Sequence, residues 1–455
     1  MAYCILKSYK LNLPAFQVFE ALNKFENCFF LDSSLNERNS GRYSFLGFEP
    51  FLKLKGRGSD IFPALRKALA EYSISMPSGA PPFLGGAIGY LAYDAGLAME
   101  EKISRRKKKK PEIPDSIFSF YNTAIIIDRL KKRLLIFSCG FPERKHSLAR
   151  ALAETNFRRM HSVLCKAAQF AYSGKAHRNG SSGSAKMRSN FRKEEYISAV
   201  KKAKEYIRRG DIYQVNLSQS LCSSTGLSGQ EIYFNLRRLS PSCFGAYFDA
   251  GDFQILSSSP ERFLSLKKDK VATRPMKGTR PRGASKGEDV FFQKQLLGSA
   301  KDRAELTMIV DLERNDLGKV CSYDSIEVTS LRKLEKYSTV FQTTANIEGR
   351  LYEGKDRIDL LRACFPGGSI TGCPKIRAME IIEELEPDRR SIYTGALGYL
   401  SFSGNMDFNI LIRTVLKQGS KVSFGVGGGI VADSDPEAEY GETLAKAKAM
   451  IAAIS

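Results

Sequence analysis

The stretch Ile392–Val431, IYTGALGYLSFSGNMDFNILIRTVLKQGSKVSFGVGGGIV, decides the fold. It reads as three strands, at about 392–402, 407–417 and 421–431, joined by short turns at Gly404-Asn405 and at Gly419. Such spacing predicts an antiparallel meander. In the middle strand Phe408, Ile410 and Ile412 alternate with Asn409, Leu411 and Arg413, which places Arg413 on the opposite face from the phenylalanine. Downstream, Asp435 as N-cap and Pro436 at the first helical position open a helix running toward Ile451. Upstream, a second helix opens at Pro374 and carries Ile376, Met379, Ile382 and Leu385 at helical spacing. Antiparallel strands with interspersed helices argue an α+β fold and not a parallel doubly wound sheet.

Further toward the N-terminus, Tyr196, Val200, Ala203 and Ile207 predict a helix stopped by Gly210, and Ile212–Leu221 reads as a strand. Another helix is expected from Ser299, with Leu306, Ile309, Val310 and Leu312 on its apolar side, ending before Gly318. The small residues from Ser173 to Asn190 have linker composition. They divide the chain into an N-terminal region 1–170, a linker 171–190 and a C-terminal region 191–455.

Composition narrows the function classes. The 455 residues are 43% hydrophobic, enough for a real core, and no apolar run approaches a membrane span. The first residues carry no signal-peptide pattern. Nine cysteines, from Cys4 to Cys373, have no metal-like spacing and read as reduced thiols in a cytoplasm. The net charge of +21 fits a nucleic-acid or membrane partner, or equally a dianionic small substrate. Its densest cluster, Arg105 to Lys110, is followed by Pro111 and Pro114, lacks interleaved aromatics and is expected as a solvated loop. Zinc-finger, RNP and helix-turn-helix signatures are absent, so no nucleic-acid partner is expected. His146, His161 and His177 lie outside every motif, leaving no base for a Ser-His-Asp or Cys-His mechanism.

Three sets of residues can carry chemistry. Glu305, in Lys301-Asp302-Arg303-Ala304-Glu305, borders the apolar side of its helix, and Glu439 and Glu442 share a face of the last helix. Carboxylates from two helices make a hard-oxygen site suited to Mg²⁺, although exposed glutamates on helices are common and spacing alone leaves both readings open. Glu261, in Ser259-Pro260-Glu261-Arg262-Phe263, lies sixteen residues before Lys277, far enough for a turn and a second strand. The glycine segments Gly367–Gly372 and Gly425–Gly429 permit close backbone approach to an anion, and Arg413 offers a bidentate partner to a carboxylate. The phosphate-loop pattern of Gly, four residues, Gly-Lys-Ser/Thr is absent.

Read together, these segments resemble the chorismate-utilising enzymes over nearly the whole chain, with six segments in order from about 190 to 452. Arg274-Pro275-Met276-Lys277-Gly278-Thr279 is similar to the family's Pro-Ile-x-Gly-Thr segment, with Met276 for Ile, a volume-conserving exchange. Anthranilate synthase component I typically has Ala at the position of Lys277; aminodeoxychorismate synthase component I has a nucleophilic Lys. The resemblance therefore implies aminodeoxychorismate synthase component I, which makes 4-amino-4-deoxychorismate for para-aminobenzoate and folate, with anthranilate synthase component I as the alternative. It implies a two-lobed antiparallel β-sandwich with helices packed outside.

By the same resemblance Glu305 and Glu442 bind Mg²⁺ with Glu439 beside them, and Glu261 is the general acid that helps the C4 hydroxyl leave. Chorismate is held by Gly278, Thr279, Thr371, Gly372, Tyr393, Arg413, Gly427 and Gly429. Gln214 stands where isochorismate and salicylate synthases carry a water-activating Lys, which favours an ammonia-using reaction. Gln342 stands where anthranilate synthases carry a His. No glutaminase-like Gly-x-Cys-x-Gly turn occurs, so ammonia is expected from a separate glutaminase subunit or from solution. Leu31–Ser34, Gly41–Gly47 and Phe83–Asp94 resemble N-terminal segments of the family, the first two belonging to a signature that includes the tryptophan feedback site in anthranilate synthases.

Overall fold

In a computed structural model, which describes residues 3–35, 41–75, 77–100, 103, 108, 112–169, 186–337 and 340–455, the chain forms an α+β structure built on two antiparallel sheets. One has twelve strands, with Cys4–Lys10 at one edge and the short Gly372–Cys373 at the other. The second has ten and includes Met276–Pro281, which carries Lys277. Eleven α-helices are described.

Strand Thr123–Asp128 shows how sequence becomes layering. Every residue in it is buried, so its hydrophobic run is continuous. Side chains still alternate. Ala124 and Ile126 join the core cluster that contains Phe29, Phe83, Tyr121 and Tyr399. Ile125 and Ile127 join a second cluster with Phe157 and Met160 of the long helix His146–Gln169. In the first cluster Phe29 meets Tyr121 at 4.5 Å and Phe83 meets Tyr399 at 5.2 Å between ring centroids. Burial of each such ring contributes roughly 1.5–3 kcal/mol.

The two regions on either side of 171–190 share both sheets. Phe29–Asp32 pairs with Phe244–Asp249, and Gly86–Leu91 pairs with Ala396–Ser401. Of the glycine- and serine-rich segment, 170–185 lies outside the described residues. Arg188–Ser189 adds a short strand beside Gln214–Ser224.

The expected meander is corrected at its middle strand. Met406–Ile410 pairs with Ala396–Ser401 in the ten-stranded sheet, whereas Thr414–Gln418 pairs with Lys421–Ile430 in the twelve-stranded one. The chain crosses between sheets over Leu411–Arg413. Arg413 takes φ 50°, left-handed backbone, which ends the period-two alternation that the sequence predicted through this point. The other elements lie close to expectation. Ser299 caps Ala300–Gly318 through a bond from Asp302 N, and Asp435 caps Pro436–Ile454 through Ala438 N. Pro374 precedes the helix Lys375–Leu385 in extended conformation instead of occupying its first turn.

The basic run needs one correction as well. Lys108 is not solvated: its Nζ lies 3.4 Å from Glu383, and its side chain is 7% exposed. The run's other residues, 105–107, 109 and 110, lie outside the described residues. No helix among the described residues is long and apolar enough to cross a membrane.

Candidate active site

Lys277 sits beside a built irregularity. It pairs with Thr343 while Thr279 pairs with Gln342, so Gly278 is an extra residue on its strand, with φ 73°. Such a bulge re-aims neighbouring side chains and is over-represented at sheet edges and beside active sites. A methyl at Gly278 would come within 2.8 Å of Leu296 Cδ1, so glycine is needed here for space as well as for φ.

Lys277 Nζ donates to Glu305 Oε2 at 3.2 Å, with Lys277 18% and Glu305 14% exposed. Gly429, on the neighbouring sheet, leaves room for that ammonium. A Cβ there would be 2.9 Å from Lys277 Nζ and 3.0 Å from Gln214 Nε2. Gln214 is fully buried, and neither its amide oxygen nor its nitrogen has a hydrogen-bond partner among the described residues. A buried unpartnered amide costs about 1–3 kcal/mol. Gly372 fixes this residue from the other side: at φ 148°, a methyl on it would stand 2.2 Å from Gln214 O. Thr371 is buried beside it. Its hydroxyl donates to Gly367 O or Gly368 O, and its carbonyl accepts from Asn216 N at 2.8 Å.

Glu261 lies in the interior, 5% exposed, with Oε1 unpartnered. Burial pushes its carboxyl up to about 7 against the pull of the Ser369 hydroxyl and the Lys277 charge. Its anion is thereby disfavoured by about 3 kcal/mol. Behind it stands Glu313, a residue that sequence reasoning passed over. Thr273 Oγ1 lies 2.7 Å from Phe263 O and 2.8 Å from Glu313 Oε2. One hydroxyl proton serves one of these acceptors well, so a protonated Glu313 donating to Thr273 satisfies all three atoms. Burial pushes Glu313 well above the usual range, and the nearby Glu261 and Asp316 add to that. A glutamate among apolar helix positions is the only signal the sequence offered.

Of the three glutamates expected to hold a metal, Glu439 and Glu442 meet beside Gly428, while Glu305 contacts Lys277, whose amine lies beside the next residue, Gly429. Glu439 Oε2 and Glu442 Oε1 flank Gly428, 3.2 and 3.7 Å from where its Cβ would be. Burial raises the Glu439 carboxyl, opposed by its bond from the Ser434 hydroxyl at 2.7 Å, and Glu442 raises it further. Burial also acts upward on Glu442, but Lys446, at 2.7 Å, together with Lys277 and Lys301 outweighs it and holds that carboxyl low. Among the described residues no three His, Cys, Asp or Glu side chains converge as a closed metal cage. Mg²⁺ needs less than that, one or two carboxylates and its own waters, and mutually repelling glutamates fit such a cation.

The remaining expected residues lie further out. Tyr393 is buried and stacks on Gly425, where a Cβ would be 2.2 Å from its ring. Gly427 lies against Leu217 O, and its own carbonyl accepts from Lys446 Nζ at 2.9 Å. Thr279 is exposed and accepts from Gln342 Nε2 at 3.3 Å, which gives Gln342 its place beside the Lys277 strand. Arg413 donates to Ser240 Oγ at 3.3 Å and pairs with no carboxylate among the described residues; burial lowers its pKa. No contact joins it to Lys277. A separate cavity of about 470 Å³ opens between the sheets, lined by Leu31, Asp32, Ser33, Gly41 and Tyr43 of the N-terminal segments, and by Arg262.

The family described as chorismate binding enzyme matches residues 26–452. The chain is 37% identical to an anthranilate synthase component 1 of Streptomyces coelicolor over 431 residues, 94% of this chain and 83% of that one. It is 35% identical to the aminodeoxychorismate synthase component 1 of Bacillus subtilis over 431 residues, 91% of this chain and 90% of that one. The crystal structure of anthranilate synthase component I from Streptococcus pneumoniae superposes with TM-score 0.78 at 31% identity, covering 92% and 94% of the two chains. The menaquinone-specific isochorismate synthase of Escherichia coli shares the fold, with TM-score 0.76 at 17% identity over 100% and 95%. The protein belongs to the chorismate-binding enzyme family and is an enzyme of chorismate utilisation.

Proposed function

We propose that this chain is component I of an aminodeoxychorismate synthase, converting chorismate and ammonia to 4-amino-4-deoxychorismate. The observation that carries the reading is Lys277 itself, its amine beside Glu305 and within the electrostatic reach of a Glu261 carboxyl raised to about 7. In this reading the Lys277 amine adds to C2 of chorismate, both double bonds of the ring diene shift one position away from C2, and the C4 hydroxyl departs as water with the proton of Glu261. Hydroxide is a poor leaving group, so this proton transfer is worth about 10²–10⁴ in rate. Ammonia then bonds to C4, both double bonds shift back, and the bond from C2 to Lys277 breaks. Gln214 supplies no basic group to activate water, which favours ammonia as the nucleophile.

Glu305 and Glu442, with Glu439, would hold Mg²⁺, which when bound supplies positive charge to the ring carboxylate of the substrate. Gly427, Gly429 and Gly278 give that substrate close access to backbone, Thr279, Thr371, Gly372 and Tyr393 shape its surroundings, and the unpaired Arg413 suits its second carboxylate. Ammonia would come from a separate glutaminase subunit. Anthranilate synthase component I is the second reading, favoured by the Streptomyces coelicolor relative. Mass spectrometry of products from purified protein, chorismate, Mg²⁺ and ammonium separates the two. An aminated product that retains its enolpyruvyl group supports the proposal; anthranilate with pyruvate overturns it.

A further inference from the structure

Two cysteines far from the active site stand directly opposite one another. Cys4 faces Cys139 across the antiparallel strands Cys4–Lys10 and Arg133–Cys139. The surrounding ladder fixes the kind of position. Gly140 N donates to Tyr3 O at 3.0 Å, and Leu11 N donates to Lys132 O at 3.2 Å. These are opposed pairs of the same register, so hydrogen-bonded pairs fall at Tyr3 and Leu11 and at every second residue between. Cys4 and Cys139 therefore form a non-hydrogen-bonded pair. Opposed Cα atoms there lie about 4.5 Å apart with side chains on one face. Disulfides span Cα separations of about 4.4–6.8 Å, so the backbone need not move to join these two.

Their thiols are already in contact, with Cys139 hydrogen-bonded to Cys4. That bond lowers the pKa of Cys4, the exposed member, whereas burial and the same bond raise that of the enclosed Cys139. An accessible thiol of lowered pKa beside a resolving cysteine is the arrangement of oxidisable pairs. Exposed Cys165 has a different neighbour, the His161 ring at 3.7 Å.

We propose that Cys4 and Cys139 are a redox-modification site, closed to an intramolecular disulfide by small disulfide oxidants such as oxidised glutathione. Cys4 sulfur attacks one sulfur of the oxidant, whose S–S bond breaks and releases one glutathione thiolate. Cys139 then gives up its proton to that leaving thiolate or to solvent and attacks Cys4 sulfur, releasing the second glutathione. The protein loses two hydrogens, and the oxidant is reduced to two thiols. The result staples the edge strand of the twelve-stranded sheet, which is paired on one side only.

The test is equilibration of the full chain with oxidised glutathione, followed by non-reducing digestion and mass spectrometry. Expected are a peptide joining Cys4 to Cys139, a loss of two of the nine thiols, and slower proteolysis of the N-terminal strand that reverts with reductant. Cys4→Ser, an exposed and conservative change, should leave Cys139 unmodified under the same conditions. A glutathione that remains on Cys4 without linking, or two unreacted thiols in the wild type, would overturn the proposal.

Discussion

Glu261 and Glu442 both feel the charge of Lys277, and they are opposite in kind. Glu261 is enclosed, has an unpartnered oxygen and is raised to about 7. The Glu442 side chain is 54% exposed, lies 2.7 Å from Lys446 and is held low. In the proposed reading one carboxyl keeps a proton ready at neutral pH, and the other stays an anion that suits a cation. Environment alone divides the roles, since the side chains are identical.

The comparison is broken most severely at Glu261. Glu261→Gln should lower kcat by about 10²–10⁴, because the amide cannot protonate the leaving hydroxyl. Wild-type activity should fall as pH rises through about 7, where the acid form is lost. Stability should fall over the same range. The folded carboxyl lies above its ordinary 4.5, so its contribution is present below that value and lost as pH rises through about 7. Above that point the wild type buries an anion and the variant does not. Chemical denaturation near pH 8 should find Glu261→Gln more stable by up to about 3 kcal/mol. A variant that is inactive and also less stable there would contradict the assignment.

Gly429→Ala probes the ground between the two carboxyls. Its methyl would start 2.9 Å from Lys277 Nζ, a flexible side-chain end that can yield. Turnover should drop about 10- to 100-fold through misplacement of the amine, with a smaller loss of stability from crowding of the buried Gln214. Glu442→Gln should act on the open side only. The Mg²⁺ concentration for half-maximal activity should rise on the order of tenfold or more, and saturating Mg²⁺ should restore most of kcat. The smallest effect belongs to Glu313→Gln. The amide donates to Thr273 as the protonated acid does, so stability should change by less than about 1 kcal/mol and the pH profile should keep its midpoint. A shifted midpoint would show that Glu313 carries charge beside Glu261.

Much of this arrangement was legible where local signals act alone. Ser299 and Asp435 announced their helices because capping is a matter of a few residues, and Lys277, Glu261 and Gly429 stood in recognisable segments. The crossing at Leu411–Arg413 was hidden. Phe408 to Arg413 alternates as one strand does, and only a left-handed Arg413 sends the chain to the other sheet. Pairing of Phe29–Asp32 with Phe244–Asp249 joins residues more than two hundred apart, which no window of sequence contains. Glu313 stayed unread because its significance lies in Thr273 and Phe263, two partners that the fold brings to it.

The central claim is that Lys277 attacks the substrate, and intact-protein mass spectrometry after rapid acid quench tests it most directly. With chorismate and Mg²⁺ in the absence of ammonia, the wild type should gain the mass of chorismate less one water, located on Lys277 by digestion, and Lys277→Ala should gain nothing. An unmodified wild-type chain that still forms product when ammonium is added, or a Lys277→Ala variant with full turnover, would contradict the account.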